Sequence, residues 1–220
     1  RFNGQSMYGN EWIDPAQQYF KLTLSTDGIY RISYDDMVNA GMPVQGISMD
    51  RIFLYRFGQE VAMYTSSKGI ITASDYIEFF GKKNRGELDQ VLFRNPADQF
   101  NIEHSMFTDE SAYYLVIKNS SSTSRINSIQ NDVSNPLPKD LYFLNTIKMV
   151  FTIESNKRST RSKEEEKFPD FDESQGFSSN FQTNHTFDIE FKNLYKNDIP
   201  ASIKLVYSGK HSDDRAHNFH

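Results

Sequence analysis

The chain contains no cysteine. That absence removes thiol catalysis and thiolate metal ligation, and it leaves the fold to packing and hydrogen bonding without cross-links. An oxidising compartment is compatible with it, because exported bacterial proteins avoid stray thiols. Basic charge is scarce as well. With 24 Lys and Arg against 29 Asp and Glu, the net charge of −5 leaves no general positive field to hold a nucleic acid or an anionic membrane. The longest apolar runs, such as Ile52-Phe-Leu-Tyr55 and Tyr113-Tyr-Leu-Val-Ile117, have strand length and fall far short of the roughly 18 residues a bilayer span needs. Neither a Gly-x-Ser-x-Gly elbow nor a phosphate-cradling glycine loop occurs. The acidic residues are scattered over the whole chain, so no carboxylate pair stands out for glycoside hydrolysis. The residues therefore support no direct enzymatic role and imply no cofactor.

What the chain has in quantity is aromatic: 18 Phe and 12 Tyr against one Trp, a weighting that favours strands over helices. Its 220 residues suit one large or two small domains, and a globule of that size buries roughly 70% of its unfolded surface without needing a disulfide or a metal. The first residue is Arg1, which suits a processed start with a signal peptide removed.

Period-two alternation recurs along the chain. Tyr19 to Leu24 and Gly28 to Ser33 read as strands joined through Asp27-Gly28, a sequence that predicts a hairpin. At Ser33 the period changes: an N-cap, acidic Asp35 and Asp36, then Met37 and Val38 ahead of Gly41 and Pro43 describe one short helix. Arg51 to Phe57 is a strand, Gly58-Gln59 a turn and Glu60 to Tyr64 its return. Further strands are expected at Asp75 to Phe80 and, buried, at Ser111 to Lys118. The Pro136 and Pro138 pair in Asn135-Pro-Leu-Pro138 denies the backbone regular ladders and marks a domain boundary.

Beyond that boundary, Phe143 to Glu154, Thr186 to Phe191 and Ser202 to Tyr207 alternate and read as strands of one sandwich. Asn156 to Lys167 has no apolar side chain and reads as a solvated loop. The chain stops inside Ala216-His-Asn-Phe-His220, which looks like the start of a further strand. The expected architecture is all-β, with antiparallel sheets or a β-sandwich in two subdomains and one short helix. Residues 1–135 form one β domain, and 136–220 a jelly-roll-like sandwich that is incomplete at its C-terminus.

Three constellations bear on function. His104, His185, His211, His217 and His220 lack the spacing of the usual metalloprotease sites and read as surface histidines. Asp170, Asp172 and Glu173 are closely spaced carboxylates of the kind calcium prefers, but the EF-hand spacing is absent; a solvated loop anchored by its aromatic residues is the preferred reading. The third group is aromatic: Tyr19, Phe20, Tyr30, Tyr55, Phe57, Tyr64, Tyr76, Phe79 and Phe80. At strand spacing most of these belong to a core, and a minority is left to form a sugar-stacking platform or a protein interface.

Asp75-Tyr-Ile-Glu-Phe-Phe-Gly81 is followed by Asn84-Arg-Gly-Glu-Leu-Asp89 and Phe93-Arg-Asn-Pro96. Together with Tyr8 to Ile13, Gly28 to Ser33, Phe107 to Leu115 and, more weakly, Phe171 to Phe181, these blocks resemble in order and spacing the region ahead of the catalytic domain in gingipain-like cysteine peptidases. That group includes the surface sortase of the bacterial type IX secretion system. The resemblance implies a Bacteroidetes-type protein, exported and working at the cell surface or outside. A peptidase domain carrying the catalytic Cys and His is expected C-terminal to His220, and no catalytic position of the family falls on this chain. The leading expectation is a non-catalytic accessory or propeptide-like region whose partner is the downstream peptidase domain. The alternative is a carbohydrate- or protein-binding β-sandwich module that takes a surface glycan or protein ligand.

Overall fold

The structure, a computed structural model, describes residues 10–99, 101–135, 137–156, 171, 175–180, 184, 186–190, 192, 194–195 and 202–206. The chain divides into two compact units, one made of Arg1–Asn84 with Thr108–Val133 and the other of Arg85–Phe107 with Ser134–His220. It is all-β in character. Among the described residues the longer strands form two antiparallel sheets, and the single α-helix is short.

Among the described residues seven strands belong to the first unit: β1 (Phe20–Leu24), β2 (Gly28–Ser33), β3 (Ile52–Arg56), β4 (Gln59–Glu60), β5 (Tyr64–Thr65), β6 (Tyr76–Gly81) and β7 (Ser111–Ile117). One sheet has the order β1-β7-β3-β4 and the other β2-β6-β5. Alternation assigns their faces. Phe20, Leu22 and Leu24 of β1 turn inward while Lys21 and Thr23 are exposed. Leu54, Tyr113 and Leu115 from the first sheet meet Ile32, Ile77 and Phe79 from the second in one apolar core, an arrangement compatible with a sandwich.

The helix expected near Asp35 is α1 (Tyr34–Asn39). Ser33 and Asp36 cap it reciprocally: the Ser33 hydroxyl accepts from the Asp36 N–H at 3.1 Å, and the Asp36 carboxylate accepts from the Ser33 N–H at 2.9 Å. The stop is equally local. Gly41 lies at φ 77°, its N–H donates to Val38 O at 2.9 Å, and the Met42 N–H reaches Met37 O at 2.9 Å, which together make a Schellman ending. Buried Met37 anchors this one turn and a half to the core.

The hairpin expected between β1 and β2 does not form. β1 pairs with β7, placing Phe20 opposite Leu115, and β2 pairs with β6, placing Tyr30 opposite Phe79. A two-residue Asp-Gly turn of type I′ needs positive φ at both central positions, and neither Asp27 nor Gly28 has it. Instead the Asp27 carboxylate accepts from the Lys83 N–H at 2.9 Å and the Tyr30 hydroxyl donates to Thr26 O at 2.9 Å, so the connection passes from one sheet to the other. The expected second hairpin forms only in part: its turn comes one residue earlier and its return is cut to Gln59–Glu60, because Tyr64 leaves to pair with β6 in the other sheet. Phe57 at φ 50° and Gly58 at φ 76° join Arg56 to Gln59. A Cβ at Gly58 would lie 2.7 Å from the Trp12 ring, so glycine is required there twice over.

The second unit is held differently. Its strands β8 (Glu154–Asn156) and β9 (Gly176–Ser178) have three residues each. Phe93 makes a bridge to Phe171 with their rings edge to face at 5.6 Å. The buried Asp89 carboxylate accepts from the Ser105 hydroxyl at 2.9 Å and the Met106 N–H at 2.8 Å, closing the loop between them. The long strand expected over Phe143 to Glu154 is reduced to its end, since 143–152 form no ladder among the described residues. Residues 186–190 and 202–206, expected as strands, are likewise irregular. Alternation prepares a face but supplies no partner, and a strand without a hydrogen-bonded neighbour is not stable in water.

Candidate binding groove

The outer face of the β2-β6-β5 sheet follows directly from the core assignment. With Tyr30, Ile32, Ile77 and Phe79 turned inward, the pleat sends Ile29, Arg31, Tyr76, Glu78 and Phe80 outward. Cross-strand register then sets the neighbours. Ile29 stands opposite Phe80, and Glu78 is flanked by Arg31 on one side and Tyr64 on the other.

The Arg31 guanidinium binds Glu78 through Nε at 2.8 Å and a terminal nitrogen at 2.7 Å, and lies 4.0 Å above the Tyr76 ring. The hydrogen bond to Glu78 raises the Arg31 pKa above the ordinary arginine value. Tyr64 and Tyr76 rings are 6.2 Å apart and tilted by 42°. Tyr64, Tyr76 and Glu78, with Ile29, Phe80 and Ile126, line a shallow groove of about 400 Å³. Ile29 at 69% and Phe80 at 48% exposure make its apolar rim.

Two polar arrangements, one centred on buried Asp75 and one on half-buried Arg125, hold the groove in shape. Asp75, at the entrance to β6, accepts from the Ser66 hydroxyl at 2.7 Å and from the Thr72 N–H and hydroxyl at 2.8 Å each. These donors, the Ser66 hydroxyl first among them, lower its pKa to about 2. Ser66 in turn accepts from the Tyr76 N–H at 2.9 Å, which sets the start of β6 and the position of its tyrosine.

On the opposite wall Ile126 is carried by Arg125. The Arg125 guanidinium donates to the carbonyls of Met49, Asp50 and Ile52 at 3.0, 3.1 and 2.8 Å, while the Ile126 N–H donates to Met63 O at 2.8 Å. Burial lowers the pKa of Arg125, and Glu60 and Asp50 oppose that shift.

The nine aromatic residues singled out from the sequence separate into four locations. Phe79 is buried in the core, with Phe20 and Tyr30 packed against it. Tyr19 and Tyr55 pack on Trp12, at ring distances of 5.5 and 5.6 Å, and Tyr114 joins them at 5.5 Å. Phe57 lies under the Arg56 guanidinium at 4.1 Å. Tyr64, Tyr76 and Phe80 reach the groove. Sequence reasoning passed over Ile29, Arg31, Glu78 and Ile126; the inward phase of Tyr30 and Ile32 is the signal that would have placed the first two outside.

Asp170, Asp172 and Glu173, together with His185, His211, His217 and His220, lie outside the described residues. Among the described residues no cluster of His, Asp or Glu is arranged to hold a metal ion, and no helix is long and apolar enough to cross a membrane. The chain has no thiol nucleophile. Comparison with family models, with curated proteins and with solved structures finds no match for this chain.

Proposed function

We propose that the chain is a non-catalytic interaction module: the accessory or propeptide-like N-terminal part of an exported gingipain-like cysteine peptidase, acting at the cell surface. The order of the sequence blocks supports the family. The observation that carries the interaction role is the groove, where Ile29, Phe80 and Ile126 stay exposed on a face whose polar atoms are already paired as Arg31 with Glu78. Apolar surface concentrated on a rigid sheet, beside satisfied charges, is what a protein interface requires. A flat sugar ring is served best by coplanar aromatic rings, and the 42° tilt between Tyr64 and Tyr76 offers it no platform.

The test is titration of the 220-residue chain into a separately produced gingipain-like peptidase domain, followed by calorimetry and by peptide cleavage. Saturable binding that changes cleavage, weakened at least tenfold by Phe80→Ser, is the expected result. No heat and no change in cleavage would remove the accessory reading, and a glycan array with strong hits on the unaltered chain would replace it with carbohydrate binding.

A further inference from the structure

The groove face ends at an open sheet edge. Among the described residues β2 has β6 as its one ladder neighbour. The phase of that ladder is set at its end, where the Tyr34 N–H donates to Asp75 O at 3.0 Å while the Ser33 N–H is taken by the Asp36 carboxylate. Hydrogen-bonded and non-hydrogen-bonded pairs alternate along an antiparallel ladder. Ile32 and Tyr30 therefore turn their N–H and C=O toward β6, and Ile29 and Arg31 turn theirs away from it. The same two residues put their side chains on the groove face. Main-chain hydrogen bonding and the apolar rim are thus offered side by side.

Resting on the reading of this face as an interaction surface, we propose that the β2 edge accepts an extended peptide as an added antiparallel strand. The incoming strand places an acidic side chain beside Arg31 and, two residues later, an apolar side chain beside Ile29 and Phe80. An added strand satisfies the outward amides and carbonyls of Ile29 and Arg31, which a sugar or a helix cannot do in register. Charge selects among strands. A second copy paired through its own β2 brings two Arg31 side chains onto one face at diagonal positions roughly 7–8 Å apart, where each, bound to its own Glu78 yet 59% exposed, gains no opposite charge from the other. An acidic residue at that place is attracted instead.

The experiment uses the whole chain and an eight-residue synthetic peptide in which Thr alternates with Val, Glu, Ile and Val, alongside a second peptide with Lys in place of Glu. Binding is followed by fluorescence anisotropy and amide hydrogen exchange. Expected are saturable binding, slowed exchange at the Ile29 and Arg31 amides, and at least tenfold weaker binding to Ile29→Pro, which removes an outward N–H and keeps the ladder to β6. Should Ile29→Pro fail to fold, Arg31→Glu serves: it is expected to lose the Glu peptide and gain the Lys peptide.

Equal binding of both peptides by the unaltered chain and Arg31→Glu would overturn the proposal, as would the absence of saturation. Slowed exchange confined to Tyr64 and Tyr76 would overturn strand addition and leave the interaction face intact. Concentration-dependent dimerisation abolished by Ile29→Pro would assign the edge to a second copy and exclude the peptide.

Discussion

β7 and the segment 147–153 are both rich in apolar side chains over strand length, Ser-Ala-Tyr-Tyr-Leu-Val-Ile against Ile-Lys-Met-Val-Phe-Thr-Ile, and they end up in opposite conditions. β7 lies between β1 and β3, hydrogen-bonded on both sides, with Tyr113, Leu115 and Val116 buried. Residues 147–152 have no ladder among the described residues. Just upstream, Phe143 and Leu144 are each 85% exposed. The difference lies in what surrounds each segment. Two strands distant in sequence bracket β7, and the burial they provide stabilises the backbone conformation that alternation only permits.

The largest expected contrast is in amide exchange. β7 amides open only when the first unit unfolds, so they should exchange at least about a thousandfold more slowly than those of 143–152. Comparable rates in the two segments, measured by mass spectrometry at neutral pH, would dissolve the distinction.

Side-chain truncation gives a smaller and sharper version of the same contrast. Leu115 is 2% exposed in the centre of its sheet, and Leu115→Ala should cost about 2–5 kcal/mol in urea unfolding. Leu144→Ala removes the same atoms from an exposed side chain and should stay within about 0.5 kcal/mol. A large loss at Leu144 would mean that it is covered in solution.

The smallest effect concerns pH. Asp75 has a folded pKa of about 2, held down by Ser66 and Thr72, below the roughly 3.9 of an unfolded aspartate. A lowered folded pKa contributes stability that is complete above the unfolded value and disappears as pH falls through the folded one. The first unit should therefore lose stability between about pH 4 and pH 2. Asp75→Asn should be less stable at neutral pH and lose less over that interval. Parallel acid melts of the two proteins would contradict the assignment of that loss to Asp75.

How much was legible follows the range of the interaction. The capping of α1 by Ser33 and Asp36, and its stop at Gly41, involve residues within six positions of one another, and the expected helix stands where the sequence put it. The strands at Gly28–Ser33, Tyr76–Gly81 and Ser111–Ile117 were readable because their side chains alternate or run apolar over strand length. Pairing was not readable. Asp27-Gly28 is a strong local turn signal, yet β1 and β2 separate because β7 and β6, some fifty to ninety residues away, offer more apolar partners. The groove was legible in composition only: Tyr64, Tyr76 and Phe80 were among nine aromatic candidates, and aromatic character by itself did not separate Phe80 from its core neighbour Phe79.

By itself, then, the amino-acid sequence determined the absence of thiol chemistry, the preponderance of strands, the one capped helix and the two-faced character of each strand, since these depend on atoms carried by neighbouring residues. Tertiary structure alone decided which strands pair, which face of β6 meets the core, and that Arg125 carries Ile126 to the wall of the groove by hydrogen bonds to carbonyls more than seventy residues away. The physical reason is that a ladder or a half-buried guanidinium is stabilised by partners distant in sequence, whose positions exist only once the chain has closed upon itself.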